Sequence, residues 1–183
     1  TSEKIFPKPS KGKQVSVKDA ISDLAFLGLN DQSDTYRIKP MTPYQKKMRK
    51  GTNTLYNHKS SKHSEKIQKR FSKVPQGMDG RNALKNSDTL KRDYYRLHPN
   101  KTSRTITTLP EDLIHYKENR IPTVREMARL QSFPDNFVFH GPRTTGGPQR
   151  RFSCPQYTQI GNAVPPMLSE KLFRKISKIL INY

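Results

Sequence analysis

The sequence predicts a loop-rich α+β fold built around a small core. Hydrophobic residues make up 31% of the 183-residue chain, which is below the usual share for a globular protein. Three segments carry the apolar periodicity and the end signals of helices, and one segment rich in β-branched residues is typical of a strand. Between residues 30 and 100, prolines, glycines and polar residues interrupt every periodic pattern, so we expect loops with some local helix there.

The first predicted helix runs from Ser16 to Leu27 and follows an extended linker at residues 6–12. Ser16 and Asp19 have the spacing of a capping pair, in which each side chain satisfies a backbone N–H group of the first turn. Gly28 is typical of a helix end. The helical spacing places five apolar side chains on one face: Val17, Ala20, Ile21, Leu24 and Ala25.

The next two elements are a strand and a second helix. The segment Thr102–Leu109 is rich in β-branched residues and predicts a short strand. Thr123 and Glu126 have the T-x-x-E spacing of a capping box, which predicts a helix over Thr123–Gln131. Pro134 ends it, because proline cannot continue a helix. The buried stripe of this helix is predicted to consist of Val124, Met127 and Ala128.

The third helix is predicted to begin between Ala163 and Pro166. Proline is tolerated in a first turn, since the N–H groups there have no helical partner. An apolar stripe then recurs along the helix, formed by Leu168, Leu172, Ile176, Ile179 and Leu180. The basic residues face elsewhere and are Lys171, Arg174, Lys175 and Lys178.

The charge balance indicates a polyanionic partner. Lys and Arg number 35 against 15 Asp and Glu, giving a net charge of +20, and such an excess repels itself unless an anionic partner screens it. A membrane surface would also attract the chain, but no apolar run is long enough to span a bilayer. A single cysteine, Cys154, excludes an internal disulfide, and five scattered histidines lack the spacing of a metal site. Without a signal peptide, we expect a cytoplasmic location, nucleoid-associated in a bacterium.

Two motifs stand close together in the second half of the chain. Residues 120–135 read RIPTVREMARLQSFPD, and residues 159–166 read QIGNAVPP. In this order and at this distance, the pair resembles the ninth and tenth motifs of DNA (cytosine-5)-methyltransferases. Upstream, residues 96–107 and 115–116 resemble the end of that family's target-recognition region. Residues 36–90 match least, as expected of a segment that carries sequence-specific recognition.

The resemblance implies a domain organisation. In the family, a doubly wound α/β domain binds the cofactor, and a small domain recognises the DNA target. Residues 1–29 would be a linker and helix joining to the catalytic domain, and residues 30–153 the target-recognition domain with the ninth-motif helix. Residues 154–183 would hold the tenth motif and a helix that returns to the catalytic domain. Most of the α/β cofactor domain of the S-adenosylmethionine-dependent methyltransferase fold would be missing from this chain.

The resemblance also implies an activity. The family transfers a methyl group from S-adenosylmethionine to C5 of a cytosine flipped out of double-stranded DNA at a specific site, as in restriction-modification. Its nucleophile sits in a Pro-Cys-Gln motif, which does not occur here; Cys154 precedes Pro155 in the reverse order. We expect the nucleophile, the assisting acid of a Glu-Asn motif and the glycine-rich cofactor loop outside this chain. It would then have no catalytic residue, be inactive alone, and depend on a catalytic amino-terminal half or subunit that binds most of the cofactor.

Two sets of residues acquire supporting roles from the resemblance. Asn162, Ala163 and Val164 would line the S-adenosylmethionine pocket after a tight turn at Gly161, the alternative being a plain Gly-Asn entry into a helix. The ninth-motif helix would hold the recognition domain on its scaffold through a polar network, or would carry only capping and surface salt bridges. The residues concerned are Arg125, Glu126, Arg129 and Gln131.

DNA contacts are expected around Thr105. Thr105 with Ile106 resembles the family's Thr-plus-aliphatic pair beside the DNA backbone, where the hydroxyl bonds a phosphate; the alternative is an ordinary strand threonine. Lys101 and Arg104 flank it and are suited to phosphate contacts, which position a protein without reading sequence. Arg and Gln side chains of residues 46–81 are suited to read bases in the major groove, but the sequence does not identify which of them do so.

Two other function classes stay open. A non-catalytic DNA-binding module, or an inactive remnant of such an enzyme, would retain the motifs without methyl transfer. Its cofactor residues would be dispensable, and its DNA binding would weaken steeply with salt. A basic RNA- or ribosome-associated protein would match the charge and the sparse aromatic residues, but it would leave residues 120–166 unexplained.

Overall fold

A computed structural model describes residues 12, 14–84, 93–144 and 152–181 of the chain. These residues form seven α-helices, a short 3-10 helix at Pro110–Asp112 and two short strands joined by long loops, in agreement with the predicted loop-rich α+β class. Of the predicted linker, all but Gly12 lies outside the described residues. The elements in chain order are α1 (Val17–Ile21), α2 (Pro43–Met48), α3 (Glu65–Ser72), α4 (Gly80–Ala83), β1 (Tyr95–Arg96), β2 (Leu113–Ile114), α5 (Val124–Leu130), α6 (Gln156–Asn162) and α7 (Pro166–Ile181).

β1 and β2 form a two-stranded parallel sheet. Its register pairs are Tyr95 with Leu113 and Arg96 with Ile114. The predicted strand over Thr102–Leu109 is wrong, because this segment has no regular structure. β-branched residues suit a pleated surface, but a strand also needs a partner edge beside it. The backbone of Thr107 instead lies against helix α6, at Gly161.

α1 begins as the sequence predicts. The Ser16 hydroxyl accepts the N–H of Asp19 at 3.1 Å, and the Asp19 carboxylate accepts the N–H of Ser16 at 3.3 Å. This reciprocal pair fixes the first turn without help from the rest of the fold. The predicted apolar face is buried at all five positions, namely Val17, Ala20, Ile21, Leu24 and Ala25.

α1 is shorter than predicted, because it ends at Ile21 and continues only as tight turns. The carbonyl of Ala20, which would accept the N–H of Leu24 in a longer helix, accepts the guanidinium of Arg129 at 3.0 Å instead. The Leu24 carbonyl likewise accepts Nε2 of His58 at 3.0 Å. A distant side chain therefore takes the Ala20 carbonyl that would have extended the helix, and the N–H of Leu24 bonds to the Ile21 carbonyl at 3.0 Å.

α5 is the central element of the packing, in contact with both α1 and α6. It spans Val124–Leu130 between the N-cap Thr123 and the C-cap Gln131, which confirms the predicted helix. Around it lies one hydrophobic core to which most of the described elements contribute. Its fully buried side chains include Val17, Ile21, Leu97, Ile114, Val124, Met127, Ala128, Tyr157 and Ile160.

The last two helices follow one another with a short break. α6 was not predicted, because Gly161 and Asn162 are poor helix formers; burial of Tyr157 and Ile160 stabilises it. α7 begins at Pro166, within the predicted interval. None of its residues is buried, and its most exposed apolar side chains are Leu168, Phe173, Leu180 and Ile181. Within the described part of the chain, no helix combines the length and apolarity needed to cross a membrane.

Candidate functional site

The start of α5 is a capping box that is completely buried. The Thr123 hydroxyl accepts the N–H of Glu126 at 3.1 Å, and Oε2 of Glu126 accepts the N–H of Thr123 at 2.7 Å. Thr123 donates its own hydroxyl to Nδ1 of His58 at 2.9 Å, while Nε2 of that ring donates to the Leu24 carbonyl. Burial lowers the pKa of His58 to about 4, so the ring is neutral near pH 7. The ninth-motif helix is thereby attached to the segment after α1.

Glu126 is also the acceptor of a buried ion pair. The Arg120 guanidinium donates from Nη1 to Oε2 at 2.7 Å and from Nη2 to Oε1 at 2.8 Å. Burial by itself raises the pKa of Glu126, but the charges of Arg120 and His115 and the Arg120 hydrogen bonds outweigh it and hold the pKa far below its usual range. Nε2 of His115 lies 3.6 Å from Oε1 of Glu126 without a hydrogen bond. Burial lowers the pKa of His115 to about 3.

Arg129 lies between two carboxylates. It donates from Nε and Nη2 to Asp135, both at 2.5 Å, and from Nη1 to Asp23 at 3.2 Å. Asp135 also accepts the Tyr36 hydroxyl at 2.6 Å, and Asp23 also pairs with Arg49. Burial, and then the Asp135 hydrogen bond, raise the pKa of Tyr36 well above its usual value. No local pattern pointed to Asp23, because 106 positions separate it from Arg129.

Arg125 binds backbone carbonyls more than carboxylates. Its guanidinium donates to the carbonyls of Tyr56 at 2.9 Å, Pro134 at 3.1 Å and Phe137 at 2.6 Å. The side chain is fully buried, and this burial lowers the pKa of Arg125. A buried guanidinium needs such a complete set of acceptors to remain charged. The charged residues of α5 are therefore interior, and the alternative of surface salt bridges is wrong.

Gln131, at the end of α5, reaches the tenth motif. Its Nε2 donates to the Ala163 carbonyl at 2.9 Å and to the Ile160 carbonyl at 3.5 Å. The next residue, Ser132, has φ +68° and accepts the N–H of Met167 through its hydroxyl at 3.1 Å. The break between α6 and α7 is therefore fixed to the end of α5 from both sides.

The candidate cofactor residues occupy that break. α6 ends at Asn162, and Ala163 then has φ −78° and ψ 139°, which turns the chain out of the helix. Asn162 is exposed, and Val164 is 59% exposed. The tight turn predicted at Gly161 is wrong, because this glycine is helical. Its missing side chain serves a close contact with Thr107 instead, where a Cβ would lie 2.4 Å from the carbonyl oxygen.

The candidate DNA residues lie together on an exposed, anchored segment. Thr105, Arg104 and Lys101 are all exposed, whereas Ile106 between Thr105 and Thr107 is only 4% exposed. The Arg104 guanidinium stacks over the ring of Tyr95 at 4.0 Å, a contact that restricts an otherwise flexible cation. The backbone is fixed at its start, where the Lys101 carbonyl accepts the N–H of Val17 at 2.9 Å.

The remaining candidates for reactive chemistry in the described part of the chain are Cys154, clusters of metal-binding side chains and a Glu-Asn dipeptide. Cys154 is exposed, and among these residues no group of three His, Cys, Asp or Glu side chains is arranged to hold a metal ion. Glu118 and Asn119 do form a Glu-Asn dipeptide, although the Glu-Asn motif is expected to lie outside this chain. Asn119 accepts Nη2 of Arg96 at 2.7 Å, and the Glu118 carbonyl accepts Nη1 at 3.2 Å. The dipeptide therefore anchors the side chain of Arg96, a residue of β1.

Comparisons of the sequence with a family model and with known proteins all identify DNA methyltransferases. The family model for C-5 cytosine-specific DNA methylases matches residues 1–178. The chain is 34% identical over 194 residues to the type II methyltransferase M.DdeI of Desulfomicrobium norvegicum, a match covering 96% of this chain and 46% of that protein. It is 32% identical over 180 residues to M1.HphI of Haemophilus parahaemolyticus, covering 97% of this chain and 40% of that protein. The chain thus spans less than half the length of these relatives.

A third relative and a solved structure add to this. The type II methyltransferase M.AquIB of Picosynechococcus sp. is 37% identical over 130 residues, which are 70% of this chain and 91% of that protein. The crystal structure of an E. coli prophage protein, assigned as a DNA modification methyltransferase, superposes with a TM-score of 0.70 at 26% identity. The superposition covers 98% of this chain and 51% of the prophage protein's chain.

Proposed function

The chain belongs to the C-5 cytosine-specific DNA methylase family, and we propose that it is the carboxy-terminal, DNA-recognising part of such an enzyme. The complete enzyme would transfer a methyl group from S-adenosylmethionine to C5 of a flipped cytosine at a specific duplex site, as in restriction-modification. The observation that carries the proposal is the contact between the two motifs. Gln131 of the ninth motif donates to the Ala163 carbonyl of the tenth at 2.9 Å, so the helix that would hold the recognition domain is bonded directly to the segment that would face the cofactor.

The catalytic half would come from residues outside this sequence. No Pro-Cys-Gln triplet occurs in the chain, and the family's thiolate chemistry requires an activated cysteine. M.AquIB supports a separate partner, because 130 residues similar to this chain make up 91% of a protein that is itself called a type II methyltransferase. We therefore favour a subunit, or the corresponding segment, that is inactive alone.

Residues Asn162–Val164, at the break between α6 and α7, would form one edge of the cofactor pocket, called here the cofactor edge. S-adenosylmethionine, when bound, supplies the methyl group. An exposed amide at Asn162 and an exposed apolar side chain at Val164 fit one wall of a pocket that takes a polar and an apolar part of a ligand. Gln131 holds the backbone between them in place. The opposite wall would belong to the missing α/β domain.

The DNA backbone would lie along the exposed segment from Lys101 to Thr105. The Thr105 hydroxyl would donate to a phosphate oxygen, and the cations of Lys101 and Arg104 would neutralise neighbouring phosphates. The stack on Tyr95 limits the guanidinium of Arg104 to few orientations, which lowers the entropy lost on binding. These contacts would hold the duplex while the target base is extruded.

α7 would form the interface with the catalytic half. Sixteen helical residues include none that is buried, and Leu168 and Leu180 are 45% and 69% exposed. A monomeric protein rarely leaves such an apolar helix face uncovered. Packing of this face on the α/β domain would remove it from water and bring Asn162 to the cofactor at the same time.

Reconstitution tests the proposal. The chain is mixed with a catalytic half that carries the Pro-Cys-Gln motif, taken from its own neighbouring gene or from a relative such as M.DdeI, and methyl transfer to duplex DNA is followed. Activity that requires both halves is the expected result. If pairing with all of these halves leaves methyl transfer at the background of each half alone, the proposal fails.

The Asn162→Ala variant separates this function from that of a non-catalytic DNA-binding module, which the charge of +20 also suits. In the reconstituted enzyme, we expect a raised KM for S-adenosylmethionine and a DNA affinity close to that of the unchanged complex. Salt-sensitive DNA binding without any methyl transfer, and without any effect of Asn162, would favour the module.

A further inference from the structure

The observation that goes beyond the proposed function is the contact between Gly161 and the segment that carries Thr105. A Cβ added to Gly161 would lie 2.4 Å from the Thr107 carbonyl oxygen, 2.5 Å from its carbonyl carbon and 2.6 Å from the Thr108 nitrogen. All three atoms belong to the backbone. No rotation of a side chain can therefore relieve the overlap, and one of the two segments would have to shift.

The segment around Thr107 is also held by contacts other than those with α6. The Thr107 hydroxyl donates to the Asp112 carboxylate at 2.7 Å and accepts the N–H of Leu109 at 3.3 Å. Ile106, one residue earlier, is buried in the core. A shift of Thr107 would thus have to move Ile106 as well, and with it the adjoining exposed Thr105.

α6 is fixed on both sides of Gly161, more firmly than the exposed segment at Thr105. The Tyr157 hydroxyl donates to the Pro122 carbonyl at 2.9 Å, Ile160 is fully buried, and Gln131 holds the Ala163 carbonyl. These contacts tie the helix to the α5 region both before and after Gly161. A Cβ at this position would therefore displace the Thr105 segment, because α6 has little freedom to retreat.

We propose that Gly161 is a positioning residue that sets the placement of the DNA contact Thr105 relative to the cofactor edge Asn162–Val164. The lack of a side chain lets α6 touch the backbone of Thr107 and Thr108, so the phosphate contact and the cofactor contact are held at one fixed separation. The inference rests on the proposed function, since it assigns a shared role to two of its sites. It predicts that a side chain added at Gly161 weakens DNA binding by displacing Thr105.

A double-mutant cycle in the complete enzyme tests this role. The variants are Gly161→Ala, Thr105→Val and their combination, with KM for DNA and kcat measured for each. Thr105→Val removes one phosphate hydrogen bond and should raise KM for DNA about tenfold. Gly161→Ala should raise it to a similar extent, and the combination should add little, because the misplaced contact is already absent. Independent effects that multiply would overturn the proposal, since they would mean general structural damage.

Gly28→Ala is the matched control. No atom lies within 4 Å of a Cβ at Gly28, so the same added methyl group should leave KM for DNA unchanged. Alanine also has the better helix propensity, so Gly161→Ala should strengthen α6 unless the contact with Thr107 opposes it. A Gly161→Ala enzyme with unchanged KM for DNA and a higher Tm would refute the proposal.

Thr107→Val keeps the proposal testable if Gly161→Ala does not fold. It removes the hydroxyl that holds the segment against Asp112 and adds no bulk toward α6. The expected result is again a raised KM for DNA, with a fold-change that does not multiply with that of Thr105→Val. Fold-changes that multiply would refute the positioning role.

If the unchanged complex transfers no methyl group, the proposed function fails, and the same cycle is then measured as the duplex DNA affinity of the chain alone. If Thr105→Val alters neither KM nor affinity, the positioning role is wrong, although an active complex would still support the proposed function.

Discussion

The Arg120 guanidinium and the Glu126 carboxylate meet in two parallel hydrogen bonds of 2.7 and 2.8 Å, and neither side chain is exposed to solvent. One carboxylate oxygen also closes the capping box of α5 at Thr123. The pair is thus part of the interior that holds the ninth-motif helix in place. Removal of one partner would leave the other as a buried, uncompensated charge.

The first prediction concerns this pair. Glu126→Gln should lower the free energy of unfolding by about 3–5 kcal/mol, because Arg120 loses its counter-charge in the interior. Urea unfolding at pH 7 measures the change. Glu170→Gln is the matched control, because Glu170 accepts a similar guanidinium from Arg174 but at the exposed surface, and little change is expected there. Equal effects at the two positions would contradict the assigned importance of burial.

The second prediction concerns pH. Burial lowers the pKa of His58 to about 4 and of His115 to about 3, against 6.5 for an unburied ring. Between about pH 6.5 and pH 4 the unfolded chain therefore binds protons that the folded chain does not. Stability falls as the pH drops through this window, by about 1.4 kcal/mol per pH unit for each fully titrating histidine. Unfolding curves at several pH values check the slope, and His115→Gln should reduce it; an unchanged slope would contradict this account.

The third prediction compares two capping boxes of the same design. Thr123→Ala should destabilise the protein by about 3 kcal/mol, since α5 loses a cap and Nδ1 of buried His58 loses its donor. Ser16→Ala, at the half-buried start of α1, should cost only about 1 kcal/mol. Thermal and urea unfolding of both variants give the difference. A larger loss at Ser16 than at Thr123 is the result that would refute it.

The fourth prediction concerns the apolar face of α7 as an interface. Leu168→Asp combined with Leu180→Asp should leave the fold of the isolated chain intact, because α7 buries no residue. The same change should prevent association with the proposed catalytic half. Circular dichroism and size-exclusion chromatography of the mixture measure the two effects. Lys171→Asp with Lys175→Asp, on the basic side of α7, is the control and should still associate.

The fifth prediction concerns DNA affinity and salt. Lys101→Ala and Arg104→Ala should each reduce the slope of log K against log salt by about 0.9, the value for one lost phosphate contact on duplex DNA. The loss should be similar for all duplex sequences, because a phosphate contact does not read bases. Fluorescence anisotropy over a salt series tests both points. Lys175→Ala on α7 serves as the control, and a slope that falls equally there would argue against a localised DNA surface.

Local features of the fold could be predicted from the sequence. The boxes at Ser16 and Thr123 and the start of α7 at Pro166 depend on residues within one helical turn, so their spacing along the chain is sufficient. The strand expected over Thr102–Leu109 failed because a strand depends on a partner edge, and a helix occupies that position. The length of α1 was overestimated for a related reason, since the distant Arg129 takes the Ala20 carbonyl.

The family motifs, the basic charge and the residues that start the helices follow from the amino-acid sequence alone. The position of Arg129 between Asp23 and Asp135, and the contact of Gly161 with the backbone of Thr107, arise from the folded chain. Contacts within a turn follow from covalent geometry and spacing. Contacts between residues far apart along the chain form only when burial of the core brings their segments together, and no local pattern encodes that approach.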